Sequence, residues 1–292
     1  MFRMPRLILI FVLILSIFLL SACKKKEAPV PAQPVRVSAT KAYEHFFGPA
    51  PTSDKGSCFA FVIYFPSAKD PGKVVPFPFF TFDEGSIRKV AVERLIGGMD
   101  LASYKGEFLS LFPPGTRLLA LDEAGGKVTV RFSKEMGSGP ADPAWAKALS
   151  SSLALTLGQF PGVKEVRMQI EGQQGETVCP VLPESDAVVQ PGSPRLLSVT
   201  AVKEKGEKDP EAVHAYFDRP VTIQGLAIAD REGKQFAGEV FLSVFDMAAV
   251  LRPQDSARSK AGMPVKVRWK VVDKVGRTAE GEQEFSLEVK EH

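Results

Sequence analysis

Histidine, cysteine and tryptophan are scarce in this 292-residue chain, at three, three and two. Three histidines limit the chemistry available: His45 lies near the tether and His292 is the last residue, neither placed as a buried base, His214 is the third, and there is no HExxH helix. There is no GxSxG elbow and no glycine loop ending in lysine to cradle a phosphate. Basic excess is missing too. The 37 cationic and 34 acidic side chains leave +3, and +1 once Arg3 and Arg6 depart with a leader, which gives no reason to expect nucleic acid. Nor is there an apolar run long enough to span a membrane. The longest, Leu7 to Leu20, is broken by Ser16 and covers about 14 residues, where a spanning helix needs ~20.

What is present begins with that run. A start bearing Arg3 and Arg6, a short apolar core and the ending Leu20-Ser21-Ala22-Cys23 read as a secretory signal peptide over residues 1–22. Small residues directly ahead of a cysteine resemble the lipobox of bacterial lipoproteins. The resemblance implies that a signal peptidase grips Leu20, Ser21 and Ala22, and that the chain is cut before Cys23 and acylated on its thiol. Two or three acyl chains make a durable membrane anchor. An ordinary signal peptide followed by a chance cysteine is the competing account. Lys24 in place of an aspartate implies the outer membrane in a two-membrane cell, and otherwise the cell membrane. Residues 23–54 then read as anchor and Pro/Ala/Lys-rich tether, with Pro29, Pro31 and Pro34 favouring extended backbone.

Residues 55–185 read as an α+β domain. Cys58 to Phe65 is apolar on both alternating faces, as a central strand would be. Ile87, Val90, Ala91, Leu95 and Ile96 have helical spacing, with Ser86 able to cap the start and Gly97-Gly98 the stop. Phe112-Pro-Pro-Gly115 is a turn into a strand over Thr116–Leu121. Glu123–Lys127 turns the chain into alternating Val128, Val130 and Phe132. A second helix opens at Asp142-Pro143, carries Trp145, Leu149, Leu153 and Leu157, and ends at Phe160-Pro161-Gly162. A last strand covers Val163–Ile170. The order is β-α-β-β-α-β, a mixed sheet with two helices.

Four stretches carry a family resemblance: Val62-Ile-Tyr-Phe-Pro66, Phe112-Pro-Pro-Gly-Thr-Arg-Leu-Leu119, Gly126-Lys-Val-Thr-Val-Arg-Phe-Ser133 and Leu157-Gly-Gln-Phe-Pro-Gly-Val-Lys-Glu-Val-Arg167. In this order they resemble the GerMN domain of sporulation and spore-germination lipoproteins, which is similar to ring-building modules of secretion systems. The resemblance implies no enzymatic activity. Each motif also has a packing role, with Phe160 expected under the second helix. With Cys23 acylated, Cys58 and Cys179 remain as an even pair in an exported chain, which favours a disulfide. The alternative is two buried free thiols.

Residues 186–194 read as a linker. Beyond them, residues 195–292 show short alternating runs at Leu196–Val202, Val213–Phe217, Val221–Ala229, Glu239–Phe245, Val265–Val272 and Phe285–Val289, separated by turn residues. This is the pattern of an all-β immunoglobulin-like sandwich. Trp269 falls among Val265, Val267 and Val271, where a core position is expected. Phe245 to Leu251 reads as a short helical turn crossing between sheets, with an exposed partner contact as the alternative. Tyr216-Phe-Asp-Arg-Pro-Val221 and the stretch from Val265 to Phe285 resemble the CopC-type copper-resistance fold. Copper-binding members carry a histidine after the glycine of the last hairpin, where this chain has Arg277, and another at the mature N-terminus, and the domain's internal histidine is His214. The resemblance therefore implies fold without metal.

These readings converge on a non-catalytic envelope lipoprotein with no cofactor and no metal. A membrane lipid anchor and an envelope protein or cell-wall partner are expected, with self-association left open. A metal or small-ligand carrier is the first alternative. A hydrolase using Asp83-Glu84 or Asp122-Glu123 is the second, although both pairs sit where solvated acids are common, at a helix start and a turn.

Overall fold

The core strand of the amino-terminal domain is buried on both faces, as its composition requires. The structure is a computed structural model describing residues 35–36, 38–53, 58–99, 101–180 and 184–291. The signal peptide, the lipobox and residues 23–34 of the tether lie outside the described residues. Strand β4 (Phe59–Pro66) pairs antiparallel with β5 (Val74–Thr81), and briefly and in parallel with β2 (Ser38–Ala39). Its Phe61, Ile63 and Phe65 enter the main core beneath two helices, α2 (Ile87–Gly97) and α3 (Pro143–Gly158). Its Ala60, Val62 and Tyr64 face the other way, into a second cluster.

That second cluster is covered by a helix inside the stretch read as tether, α1 (Lys41–Phe47). Thr40 caps it by accepting from the Tyr43 amide at 3.2 Å, and Tyr43, Phe46 and Phe47 are buried on one face. Each buried aromatic contributes ~1.5–3 kcal/mol, so residues 41–47 belong to the folded body. The chain enters this body through β1 (Val35–Arg36), which pairs antiparallel with β3 (Thr52–Ser53).

A four-stranded sheet completes the domain in the order β6 (Leu118–Ala124), β7 (Lys127–Phe132), β8 (Glu165–Ile170), β9 (Thr177–Cys179). The expected single sheet is thus two sheets, because α3 occupies the edge of β4. Thr156 Oγ1 accepts from the Tyr64 amide at 3.2 Å, and the Gln159 side chain bonds both the amide and the carbonyl of Val62, at 2.8 and 2.6 Å. Those groups are satisfied by side chains instead of a neighbouring strand. Asp142 caps α3 as expected, accepting from the Ala144 and Trp145 amides. Ser86 makes no capping bond to α2; its hydroxyl donates to Asp83 instead. Phe160 is buried in the main core.

The linker is also packed. Helix α4 (Glu184–Ala187) leads into Val188, which bridges to Val74, and the Val189 amide donates to the Val74 carbonyl at 2.8 Å. Ala187 and Val188 are buried in the cluster under α1.

The carboxy-terminal domain is the expected sandwich. One sheet has the order β13 (Gly238–Leu242), β14 (Ala248–Pro253), β11 (Ala212–Phe217), β10 (Leu196–Lys203), β17 (Glu288–Glu291). The other runs β12 (Val221–Asp230), β15 (Pro264–Asp273), β16 (Thr278–Ser286). Trp269 is half-buried against the core with its ring over Gly281, where a Cβ would come within 2.7 Å of the ring. The stretch expected to cross between sheets does not do so. β13 and β14 are hairpin neighbours, and Val244–Asp246 is the turn between them, held by mutual bonds of Ser243 and Ala248.

Cys58 and Cys179 are both buried free thiols, contrary to the expected bridge. Along α3 and β4 the contacts run in opposite senses: Thr156 meets Tyr64 and Gln159 meets Val62. Cys179 interacts with Ser150, six residues (~9 Å) back from Thr156. Cys58 lies six strand residues (~20 Å) from Tyr64 in the other direction. The two sulfurs thus sit near opposite ends of the domain, far beyond the ~7 Å between Cα atoms that a disulfide tolerates. Burial raises both thiol pKa values, that of Cys179 to about 11. Denaturing the unreduced protein in an alkylating agent should therefore add two labels, at Cys58 and Cys179. A mass spectrum with neither labelled would restore the bridge.

Candidate functional site

The lipidation residue Cys23 and the peptidase-recognition residues Leu20, Ser21 and Ala22 lie outside the described residues. Three of the four carboxylates of the hydrolase alternative are engaged locally, those of Asp83, Asp122 and Glu123. Asp83 accepts from the amide and hydroxyl of Ser86, and the hydroxyl bond is the first cause of its lowered pKa. Asp122 pairs with Arg131 at 2.9 Å and Glu123 with Arg88 at 3.3 Å. His214 lies beside Tyr216, with Nδ1 at 3.3 Å from the phenol oxygen. Among the described residues no three His, Cys, Asp or Glu side chains gather to hold a metal.

The concentrated chemistry lies at the seam between the two domains. Its centre is Asp218, at the end of β11 and about 5% exposed. Four donors converge on its carboxylate: the Tyr104 hydroxyl at 2.6 Å, the Arg195 amide at 3.0 Å, and Nε and Nη2 of the adjacent Arg219 at 3.0 and 2.9 Å. Arg219 is equally buried, and its remaining nitrogen donates to the Gly192 carbonyl at 2.9 Å. The linker thereby becomes part of the network. Charge-assisted bonds of this kind are among the stronger ones in proteins.

Asp273, at the end of β15, repeats the arrangement. Its Oδ1 accepts from the amides of Val275 and Arg277, and its Oδ2 accepts from Arg277 Nε at 2.6 Å. Arg219 Nη1 lies 3.7 Å from the same oxygen, which joins the two carboxylates through one guanidinium. Arg277 then reaches across the seam to the Phe46 carbonyl of α1 at 2.7 Å and to the Pro191 carbonyl at 3.0 Å. The ring of Phe47 takes cation contacts from both arginines, at 5.6 Å from Arg219 and 5.9 Å from Arg277. Arg277 is thus given over to holding the domains together.

Arg195 forms the third tie. Its Nη1 bonds Glu107 Oε1 and the Ser103 carbonyl, both at 2.6 Å, and the guanidinium lies 4.3 Å over the Tyr104 ring. Burial first, then the Asp218 carboxylate, pushes the Tyr104 phenol far above its ordinary pKa, so it acts as a fixed donor. A cleft of about 210 Å³ opens beside this group, lined in part by Ser67, Asp70, Pro76, Phe108 and Gln190. At the other side of the seam Gly48 meets the Lys274 backbone. Its φ is +76°, and a Cβ there would lie 2.9 Å from the Lys274 carbonyl oxygen. Lys274 in turn pairs with Asp246 at 2.7 Å, and Phe245 stacks on Phe80 of β5 with ring centroids 4.7 Å apart.

Sequence reasoning singled out Arg277 only as a missing histidine, and it did not find Asp218, Arg219, Asp273, Tyr104 or Arg195 as a group. The available signal was Asp218-Arg219 within an otherwise apolar strand end. A charged pair there must be neutralised once buried.

The comparisons with known proteins follow the two domains. Residues 62–176 match the family model described as Germane: Sporulation and spore germination. The first GerMN domain of the sporulation protein GerM from Bacillus subtilis aligns at 22% identity over 40% of this chain and 85% of its own, with a TM-score of 0.33. CopC from Methylosinus trichosporium OB3b aligns at 19% identity over 34% of this chain and 97% of its own, with a TM-score of 0.24. PcoC, a methionine-rich copper resistance protein from Escherichia coli, aligns at 17% identity over 33% and 100%, with a TM-score of 0.26. No curated protein matches the chain.

Asp218→Asn is expected to destabilise the protein by about 3–5 kcal/mol in urea denaturation, because the buried Arg219 loses its bidentate carboxylate and keeps only the 3.7 Å contact with Asp273, which Arg277 shares. A loss under about 1 kcal/mol, the worth of an exposed pair, would show the network to be dispensable. A second expectation concerns acid. The Arg195 hydrogen bonds hold the Glu107 carboxyl below its ordinary value of 4.5, with Lys69 assisting. A depressed carboxyl contributes stability that is complete above that ordinary value and disappears as pH falls through the folded one. Glu107→Gln should therefore flatten the acid limb of the stability–pH curve below about pH 4.5. An unchanged limb would show that the pair does not contribute.

Proposed function

We propose that this protein is a non-catalytic lipoprotein of the cell envelope, held to a membrane by acyl chains on Cys23. It acts as a rigid adaptor that presents its Germane-type domain and its sandwich to an envelope protein or a cell-wall partner. The observation that carries this reading is the seam. Its buried carboxylates and guanidiniums saturate one another across two domains and the linker, so the polar groups that could have done chemistry fix an orientation instead. The family match over residues 62–176 supports a role of the sporulation or germination type. The scarcity of histidine and the engagement of Asp83, Glu123 and Asp122 by Ser86, Arg88 and Arg131 agree with a binding role. Among the described residues no helix is long and apolar enough to cross a membrane.

Crosslinking in intact cells, with photoreactive groups at exposed positions of both domains, tests the reading. The wild-type chain is expected to capture an envelope protein or a wall fragment. Asp218→Asn, by loosening the seam, should lower the yield of a partner that touches both domains severalfold, in line with a ~3–5 kcal/mol loss at the seam. Recovery of no envelope component, or of an unacylated mature chain in the cytosol, would overturn it.

A further inference from the structure

Strand β2 is an edge whose outer side is unused. Its amides at Ser38 and, just beyond it, Thr40 donate to β4, reaching the Cys58 carbonyl at 2.9 Å and the Ala60 carbonyl at 3.0 Å. Backbone groups alternate sides along a strand, so the amide and carbonyl of Ala39 both point away from β4. Among the described residues no strand lies on that side. The Ala39 side chain packs on the cluster under α1, and the next residue, Thr40, caps that helix and bonds Gln159 at 2.8 Å. The unused donor and acceptor are therefore held in one place by the fold around them.

Ala39 borders a groove of about 690 Å³. Phe59, Ile87 and Phe160 supply its apolar part, and Lys41 and Glu84 line it with charge. Neither Lys41 nor Glu84 has an ion partner among the described residues, whereas Arg88 in the same groove is held by Glu123 and the Pro161 carbonyl. An unpaired backbone edge, an apolar wall and two unspent charges of opposite sign are together complementary to an extended peptide. A peptide residue set antiparallel to Ala39 would exchange both hydrogen bonds with it. Its two neighbours would then turn their side chains to the face that Ser38 shares with Phe59, where the groove is apolar.

We propose that this groove binds an extended segment of another polypeptide, added as an antiparallel strand to the outer side of β2. The segment carries apolar side chains on either side of the residue facing Ala39, with a carboxylate for Lys41 and a basic group for Glu84. The proposal deepens the adaptor reading above and rests on it, by giving the partner a place on the amino-terminal domain and a chemistry. The chain's own tether suits the groove less well. Pro29, Pro31 and Pro34 lack the amide that the Ala39 carbonyl needs.

The test selects from a phage-displayed library of random nonapeptides on the full acylated chain in detergent micelles. The enriched peptide is then synthesised and its binding measured by fluorescence anisotropy. Enriched sequences are expected to hold two apolar residues two positions apart, with an acidic and a basic residue nearby. Ala39→Pro removes the outward amide, which β4 does not use, and proline is tolerated at such an edge position. It should weaken binding ~tenfold or more through the lost hydrogen bond and the intruding ring, with urea denaturation as in the wild type. Lys41→Glu gives a second variant that does not depend on Ala39→Pro folding, since Lys41 is exposed and an acid suits the first residue of a helix. It should weaken the same peptide severalfold and shift a repeated selection toward basic sequences. Enrichment of no peptide, or of one that binds both variants as it binds the wild type, overturns the site. The adaptor reading is then judged separately, by the crosslinking of exposed positions on both domains. A peptide that binds only once residues 24–34 are deleted, or a chain that dimerises through the same groove, overturns the choice of occupant.

Discussion

The buried carboxylate of Asp218 is the constraint from which the remaining geometry follows. Removing an ionised group from water costs several kcal/mol, and that cost is offset only when its lone pairs meet well-placed donors. Here the donors come from three places: Tyr104 of the amino-terminal domain, the Arg195 amide at the end of the linker, and Arg219 beside Asp218 itself. No one of these can move without stranding a buried charge. The domains therefore hold one relative orientation, and residues 34–292 behave as a single unit. Asp273 extends the same logic. Its charge lets Arg219 and Arg277 approach one phenylalanine ring, where two guanidiniums alone would repel.

A network of this kind is weak evidence for stability as such, since apolar residues of similar shape often do as well. Its distinctive contribution is specificity of arrangement. A hydrophobic seam would tolerate sliding, whereas bonds to the Phe46, Pro191 and Gly192 carbonyls do not. The exposed ladder on the outer sheet is different. Arg268–Glu282 and Lys270–Glu280 are open to solvent, and such pairs contribute little beyond solubility.

The contrast between what could and could not be read from sequence follows from range. Local signals were legible: the Asp142-Pro143 cap, the Pro113–Gly115 turn, and the alternation in β10, β11, β12 and β15. The strand β4 even announced, through apolar residues on both faces, that something must cover its second side. Tyr43, Phe46 and Phe47, spaced i, i+3 and i+4, were the cover, hidden by their nearness to a proline-rich stretch. β5 was masked by Pro76 and Pro78, which a strand tolerates because β5 is an edge. β16 was masked by its acids, which suit its own edge position. The even cysteine count pointed to a bridge because parity carries no distance. Of the seam only the Asp218-Arg219 pair left a local trace, since the rest joins residues as far apart as Phe46 and Arg277.

The left-handed turn at Phe245 and Asp246 brings these levels together. A two-residue departure of this kind would ordinarily recruit glycine or asparagine, and a phenylalanine there stores strain. Stacking on Phe80 returns ~0.5–1.5 kcal/mol, and the Lys274–Asp246 pair, about a quarter exposed on each side, returns less than a buried one would. Those gains offset only part of the strain, so local contacts alone do not account for the sequence chosen. The seam does account for it. With Gly48 pressed against Lys274 and Arg277 bonded to Phe46, the docked domains hold in place both partners of the turn, Lys274 for Asp246 and Phe80 for Phe245. The strain is thus borne by the docking of the two domains.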